Sequence, residues 1–459
     1  MGGLLASYFP QGKRLLVEGA AIALLIVVGA FLIYHYAVHT IRNSRPLGGA
    51  NVNITRGDGE ESEASFAIDP ARPQVLFGAS NQLFAYGSTN GGRTWRSEDG
   101  PALREPACPH GEPQAAAGSD SEFLAFLVAP PCGDLLTPYL VVTSRPYTSA
   151  RWAPVTRVAP ATWQYGFDDA PALALDGRSG RLYLSWTRSL GAKAAAVVSS
   201  ASNDGGHTWS RPVVVAAAAY EPHLSTITVG PRGEVYVAGI DTRHGVWIAR
   251  STDRGRTFGA LQSAAPLRAN PSSSCAGRAA FRSLANEETS CVGPDPTVLA
   301  TRNGVDVVYD DVGANGTPDV FLAALDRELQ PRFHAQVNPP DRGKTQQFFP
   351  SAAIDSSTGT LWACWYDTTF DPNAHRAWFT CSASHDGRAW TPPERAAAAP
   401  TKVADLFTDL QRSTGLSTTV VADRGVVHAF WINIGEVDFA QDIYTASLSE
   451  RAAFLTLRR

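Results

Sequence analysis

The chain has 459 residues, 44% hydrophobic, 18% charged and 10% aromatic, enough apolar material for a packed body and too much for a disordered chain. Its 39 basic and 43 acidic residues leave a formal charge of −4. No basic run follows a phosphate backbone, so nucleic acid is not expected as a partner.

Residues 15–38 are apolar apart from Glu18 and His35, which is the length an α-helix needs to cross the hydrocarbon layer. The run exceeds the apolar region of a cleavable signal peptide, and no Ala-x-Ala follows it directly. We therefore expect a cytoplasmic N-terminus over 1–14, an uncleaved transmembrane signal anchor over 15–38, a linker over 39–50 and a folded body over 51–459. Lys13 and Arg14 lie before the run and Arg42 and Arg45 after it, so the positive-inside count does not orient it. The cysteines do. All six, Cys108, Cys132, Cys275, Cys291, Cys364 and Cys381, follow the span in an order suggesting three local disulfides, which an oxidising compartment would keep. That predicts a single-pass cell-membrane protein with its C-terminal body extracytoplasmic. No CxxC or HExxH spacing occurs, and neither a metal nor a cofactor is expected.

One short pattern then recurs along the body: Ser88-Thr-Asn-Gly-Gly-Arg-Thr-Trp95, Ser202-Asn-Asp-Gly-Gly-His-Thr-Trp209, Ser251-Thr-Asp-Arg-Gly-Arg-Thr-Phe258 and the shorter Ser384-His-Asp-Gly-Arg-Ala-Trp390. Each follows a short strand-like run, and Asx followed by Gly is the chemistry of a tight turn between antiparallel strands. Weaker copies close on Trp152, Phe333 and Phe454, so the closing aromatics stand at 95, 152, 209, 258, 333, 390 and 454. Two further strand-like runs precede each marker, as in 171–175 with 182–186 or 351–354 with 361–365. A unit of four short strands repeated radially is a propeller blade.

The Ser-x-Asp-x-Gly-x-Thr-Trp turn resembles the Asp-box, or bacterial neuraminidase repeat, of the sialidase superfamily, and the resemblance spans roughly residues 50 to 459. It implies an all-β propeller of four-stranded blades. Seven repeats are counted here, against six blades in sialidases themselves. The family places these turns on the outer rim, so Asn90, Asp204, Asp253 and Asp386 are expected to be structural. Strand parity makes them C-to-D turns of blades ordered A to D, and any pocket should then lie at the other end, among the B-to-C loops and the links between blades.

Sialidases use an arginine trio for the substrate carboxylate, a tyrosine nucleophile assisted by a glutamate, and an aspartate as acid/base. Their early Arg-Ile-Pro signature is absent. On the expected pocket face, Arg188, Arg243 and Arg412 could form a trio, Tyr366 or Tyr165 the nucleophile, Glu221 its helper, and Asp168 or Asp169 the acid, with Trp163, Tyr165 and Asp367 contacting sugar. The resemblance thus implies carbohydrate recognition, a sialoside among the ligands, and exo-sialidase-like hydrolysis. A non-catalytic glycan-binding module or a scaffold for a protein partner is the alternative.

Overall fold

The structure, a computed structural model, describes residues 51–56, 61–103, 107–129, 138–159, 168–189, 195–217, 223–241, 243–268, 279–282, 289–292, 296–340, 345–371, 373–403, 406, 418–434 and 441–455. The expected anchor over 15–38 lies outside them. Among the described residues no helix is long and apolar enough to cross a membrane.

Seven antiparallel sheets follow one another around the body, each ordered A-B-C-D from the inside outward. Strand A is Ser65–Ile68 in blade 1, Cys108–Ala117 in blade 2, Asp168–Asp176 in blade 3, His223–Val229 in blade 4, Thr297–Ala300 in blade 5, Gln347–Ile354 in blade 6 and Thr419–Asp423 in blade 7. The seven-repeat count therefore holds, and the six-bladed alternative does not. Middle strands such as Val235–Asp241 and Leu361–Asp367 are buried along their whole length. Each is sandwiched between two neighbouring sheets, so both of its faces are core and its sequence is a continuous apolar run rather than an alternating one. Trp186, Trp247, Trp362, Trp365 and Trp431 are among the largest fully buried side chains, and truncating one to alanine costs about 3–5 kcal/mol.

The four strong repeats are C-to-D turns, as parity requires. In blade 3, Asp204 Oδ1 accepts from the Thr208 N–H at 2.9 Å and the Ser202 hydroxyl at 2.8 Å, and Oδ2 from the Thr208 hydroxyl at 2.5 Å. These donors hold its carboxyl down at about 2. Asp253 has the same arrangement and the same low value. Asn90 accepts from the Thr94 N–H, and Asp386 from those of Arg388 and Ala389. All four residues are thus structural turn residues. Gly206 has a φ of +89°, and a Cβ there would come within 3.1 Å of Val142 in blade 2; only glycine permits both the turn and that approach. The closing aromatics fill the wedges between blades. Trp95 of blade 1 meets the Phe430 ring of blade 7 edge-on at 5.7 Å, and Trp209, Phe258 and Trp390 pack into the seams of their own blades with the preceding ones.

The seventh marker departs from the hairpin reading. Residues Glu450–Leu455 form a helix after strand C of blade 7, because strand D of that blade comes from the other end of the body. Val52–Asn53 pairs antiparallel with Gln441–Ser449, with Val52 opposite Thr445. Phe454 still fills a wedge, stacked on His385 of blade 6 at 4.1 Å. Between blades 4 and 5 the chain adds a small hairpin, Ala279–Arg282 with Thr289–Val292.

Cys364 on strand B and Cys381 on strand C of blade 6 stand directly opposite one another and are disulfide-bonded. Cys108 is also in a disulfide. Cys132, its expected partner, and Cys275 lie outside the described residues. Cys291 lies on the inserted hairpin, opposite Ala280.

Candidate functional site

At the end of the channel formed by the links and B-to-C loops, several inner strands carry a local irregularity. The register shifts between Pro109 and Gln114 in blade 2, between Asp169 and Ala172 in blade 3, and between Phe348 and Ser351 in blade 6. Glu112, Ala170 and Phe349, together with Glu63 at the entry to strand A of blade 1, have φ between 47° and 55°, a conformation uncommon for residues with side chains. A bulge turns one N–H out of its own ladder, and that group must find an acceptor elsewhere. Here the preceding blade supplies it. The Glu112 N–H donates to Glu63 Oε2 at 2.6 Å, the Ala170 N–H to Glu112 Oε2 at 2.6 Å, and the Phe349 N–H to Asp310 Oδ2 at 3.1 Å.

Blades 1 to 3 thereby bring Glu63, Glu112 and Asp169 into one row. Burial pushes the Glu112 carboxyl well above the usual carboxylate range, and the negative charges of Asp169 and Glu63 push it further. The Ala170 N–H opposes this, but burial and like charge win. Glu112 is thus the carboxyl group of the row that holds its proton more tightly than usual, in side-chain contact with Asp169. Two neighbouring carboxyl groups with unequal hold on a proton are the arrangement from which acid/base chemistry can be built. Among the described residues no group of three or more His, Cys, Asp or Glu is arranged to hold a metal ion.

The residues singled out from sequence divide accordingly. Asp169 lies in the row. Asp168, next to it, faces the other way: its carboxylate accepts from Trp186 Nε1 at 2.8 Å and from Arg188 Nε and Nη2 at 2.8 and 3.2 Å. That ion pair is cross-strand and largely buried, so it fixes strand A against strand B. It occupies both the carboxylate expected to act as acid and the guanidinium expected to meet substrate. Tyr366 is fully buried between blades 6 and 7. Its hydroxyl donates to the Ile432 carbonyl at 2.6 Å and accepts from the Ile432 N–H at 3.1 Å, and burial drives its phenol well above its ordinary range. It is a seam residue, and the nucleophile assignment fails on burial. Asp367 is likewise enclosed, accepting from Gln347 Nε2 at 3.1 Å and the Thr369 N–H at 2.8 Å.

Arg243 lies in the exposed B-to-C hairpin of blade 4, where its N–H donates to Asp241 at 2.8 Å. Trp163, Tyr165, Glu221 and Arg412 lie outside the described residues, so the structure places two of the three expected arginines, on different blades and in different roles. Glu63 and Glu112 were not anticipated. Glu112 sits between Gly111 and Pro113, neighbours that mask a strand. Glu63 precedes its inner strand, Glu112 lies in the middle of Cys108–Ala117 and Asp169 near the start of Asp168–Asp176, so no common spacing marks the row.

No protein-family model and no curated protein matches this sequence. Among solved structures the chain is similar to an α-L-arabinofuranosidase of Fusarium graminearum bound to an iminosugar inhibitor, with 12% identity, a TM-score of 0.51, and coverage of 88% of this chain and 99% of that one. It is also similar to a Hadza microbial sialidase, with 14% identity, a TM-score of 0.44, and 83% and 74% covered. For the Trypanosoma rangeli sialidase in complex with sialic acid the values are 9%, 0.42, and 89% and 60%. At these identities the likeness is one of fold alone, that of a β-propeller.

Proposed function

We propose that the protein hydrolyses glycosides at the channel mouth formed by blades 1 to 3, with Glu112 delivering the proton to the leaving oxygen. One observation carries the reading: the bulges of blades 2 and 3 hold the Glu112 carboxyl group between Glu63 and the Asp169–Ala170 segment, where burial and like charge push it upward. Glycosidic cleavage needs a proton for the departing oxygen and a second carboxyl group to steady or attack the sugar centre; Asp169 and Glu63 are the candidates for the second role. With Arg188 committed to Asp168, recognition of a sugar carboxylate by the expected trio loses support. We therefore favour substrates with a neutral terminal sugar, an arabinofuranoside among them, over sialosides.

A second reading has its own support. The carboxylates of Glu63 and Glu112 each accept a backbone N–H of the next blade, as expected of stitches in a non-catalytic glycan-binding module. Hydrolysis of a nitrophenyl glycoside panel by wild type and Glu112→Gln separates the two. The hydrolase reading predicts turnover that falls by about 10²–10⁴ in the variant. It also predicts activity lost as pH rises through the elevated Glu112 value, because only the protonated form donates. Glycan binding without turnover in wild type would make the protein a binding module.

The membrane anchor over 15–38 is part of the same proposal. The disulfides at Cys108 and Cys364–Cys381 support an oxidising compartment for the body. Retention in the membrane fraction after alkaline carbonate washing is expected, and release would contradict it.

A further inference from the structure

The A-to-B and C-to-D turns build the opposite face of the propeller. Across blades 3 to 6 that face carries an open cavity of about 880 Å3. Gly304–Val312, strand B of blade 5, reaches it through Asp306. Residues 306, 308 and 310 share one side of this strand. Val308 packs into the apolar seam with blade 6, and Asp310 accepts from the blade 6 backbone. Asp306 ends the row where the seam opens into the cavity. It is only 5% exposed, and its Oδ1 receives no hydrogen bond among the described residues. Burial lifts its carboxyl to about 7, against the pull of Arg332. A buried polar atom without a partner destabilises the fold and calls for an explanation.

The rim supplies one. Arg178, Arg302, Arg332 and Arg388 line the cavity and are exposed, and none enters an ion pair among the described residues. The carboxylates beside them are already occupied: Asp355 accepts from the Ser357 and Gly425 N–H groups, and Asp386 from the turn N–H groups of blade 6. The cavity is therefore cationic at its rim with one unoccupied acceptor in its lining. Guanidinium groups suit carboxylate, sulfate or phosphate, and the volume suits a molecule much larger than a bare anion.

We infer that this cavity is a second ligand site, separate from the carboxyl row, for an acidic sugar, with the arginines on its anionic group and Asp306 on a hydroxyl. The inference does not depend on the proposed hydrolysis. The test is calorimetric titration of the full chain with galacturonate, glucose 6-phosphate, galactose and inorganic phosphate. Both acidic sugars should bind roughly tenfold or more tightly than galactose or phosphate, and comparing them tells a carboxylate from a phosphate preference. The double variant Arg302→Glu, Arg332→Glu should weaken acidic-sugar binding by roughly tenfold or more. Asp306→Leu should narrow the gap between glucose 6-phosphate and phosphate while raising the thermal midpoint of the free protein. Absence of binding, equal binding of galactose, or binding indifferent to the arginine reversals would overturn the site.

Discussion

Ser202 shows how much of the propeller rests on single hydroxyl groups. Its Oγ donates to Asp204 and accepts the Gly206 N–H at 2.9 Å in a buried position. Ser202→Ala leaves that N–H without an acceptor, which costs about 1–3 kcal/mol. A lowered thermal midpoint with strand content preserved is the expected result, and an unchanged midpoint would show the turn to be dispensable. These turn residues were legible from sequence because their chemistry is local: a hydroxyl, a short carboxylate and a glycine within a few positions fix the geometry by themselves. Tyr366 and Asp367 were not legible. Both faces of their strand are core, so the alternation that would separate channel from seam is absent. Asp168 and Asp169 show the same limit, since adjacent residues face opposite ways and only the structure tells which one meets Glu112.

Strands differ in the same way. The C strands and turns of the four strong repeats were legible in the repeated motif, whereas the inner A strands carry bulges that no spacing rule reveals, and the carboxyl row is built on those bulges. Strand B of blade 7, Val426–Ile434, carries a different consequence of burial. His428 is 4% exposed, bonded to Ser447 at 2.8 Å, and burial presses its imidazole down to about 4. The unfolded chain binds a proton near pH 6.5 and the folded one does not until about pH 4. Stability is therefore fully present above pH 6.5 and drops as pH falls through the interval, by roughly 3 kcal/mol at its lower end at 1.36 kcal/mol per unit. The thermal midpoint should fall between pH 7 and pH 4 more in wild type than in His428→Gln. Equal falls would place the acid sensitivity elsewhere.

Closure joins the two ends of the body. Val52–Asn53 completes blade 7, Asn51 Nδ2 donates to the Ala396 carbonyl of blade 6 at 2.8 Å, and Asp442 accepts from Asn53 and Thr55 at 2.8 and 2.5 Å. Hydrogen bonds link the remaining blades in turn, such as Thr419 Oγ1 to Ala64 O at 2.6 Å between blades 7 and 1. Compared with a chain beginning at Asn51, one beginning at residue 56 should show a thermal midpoint lower by roughly 5 °C or more. The number of blades was legible because the aromatic markers recur once per sheet; the closing strand was not, because two paired residues carry no pattern of their own.

The placement of sugar chemistry at the carboxyl row of blades 1 to 3 is tested most directly by affinity labelling with an epoxide-bearing arabinofuranoside, followed by peptide mapping. The label should sit on Asp169 or Glu63 and disappear in Glu112→Gln, because ring opening needs both an attacking carboxylate and the Glu112 proton. A label on Asp367, on the arginine-rimmed face, or retained undiminished in the variant would contradict it.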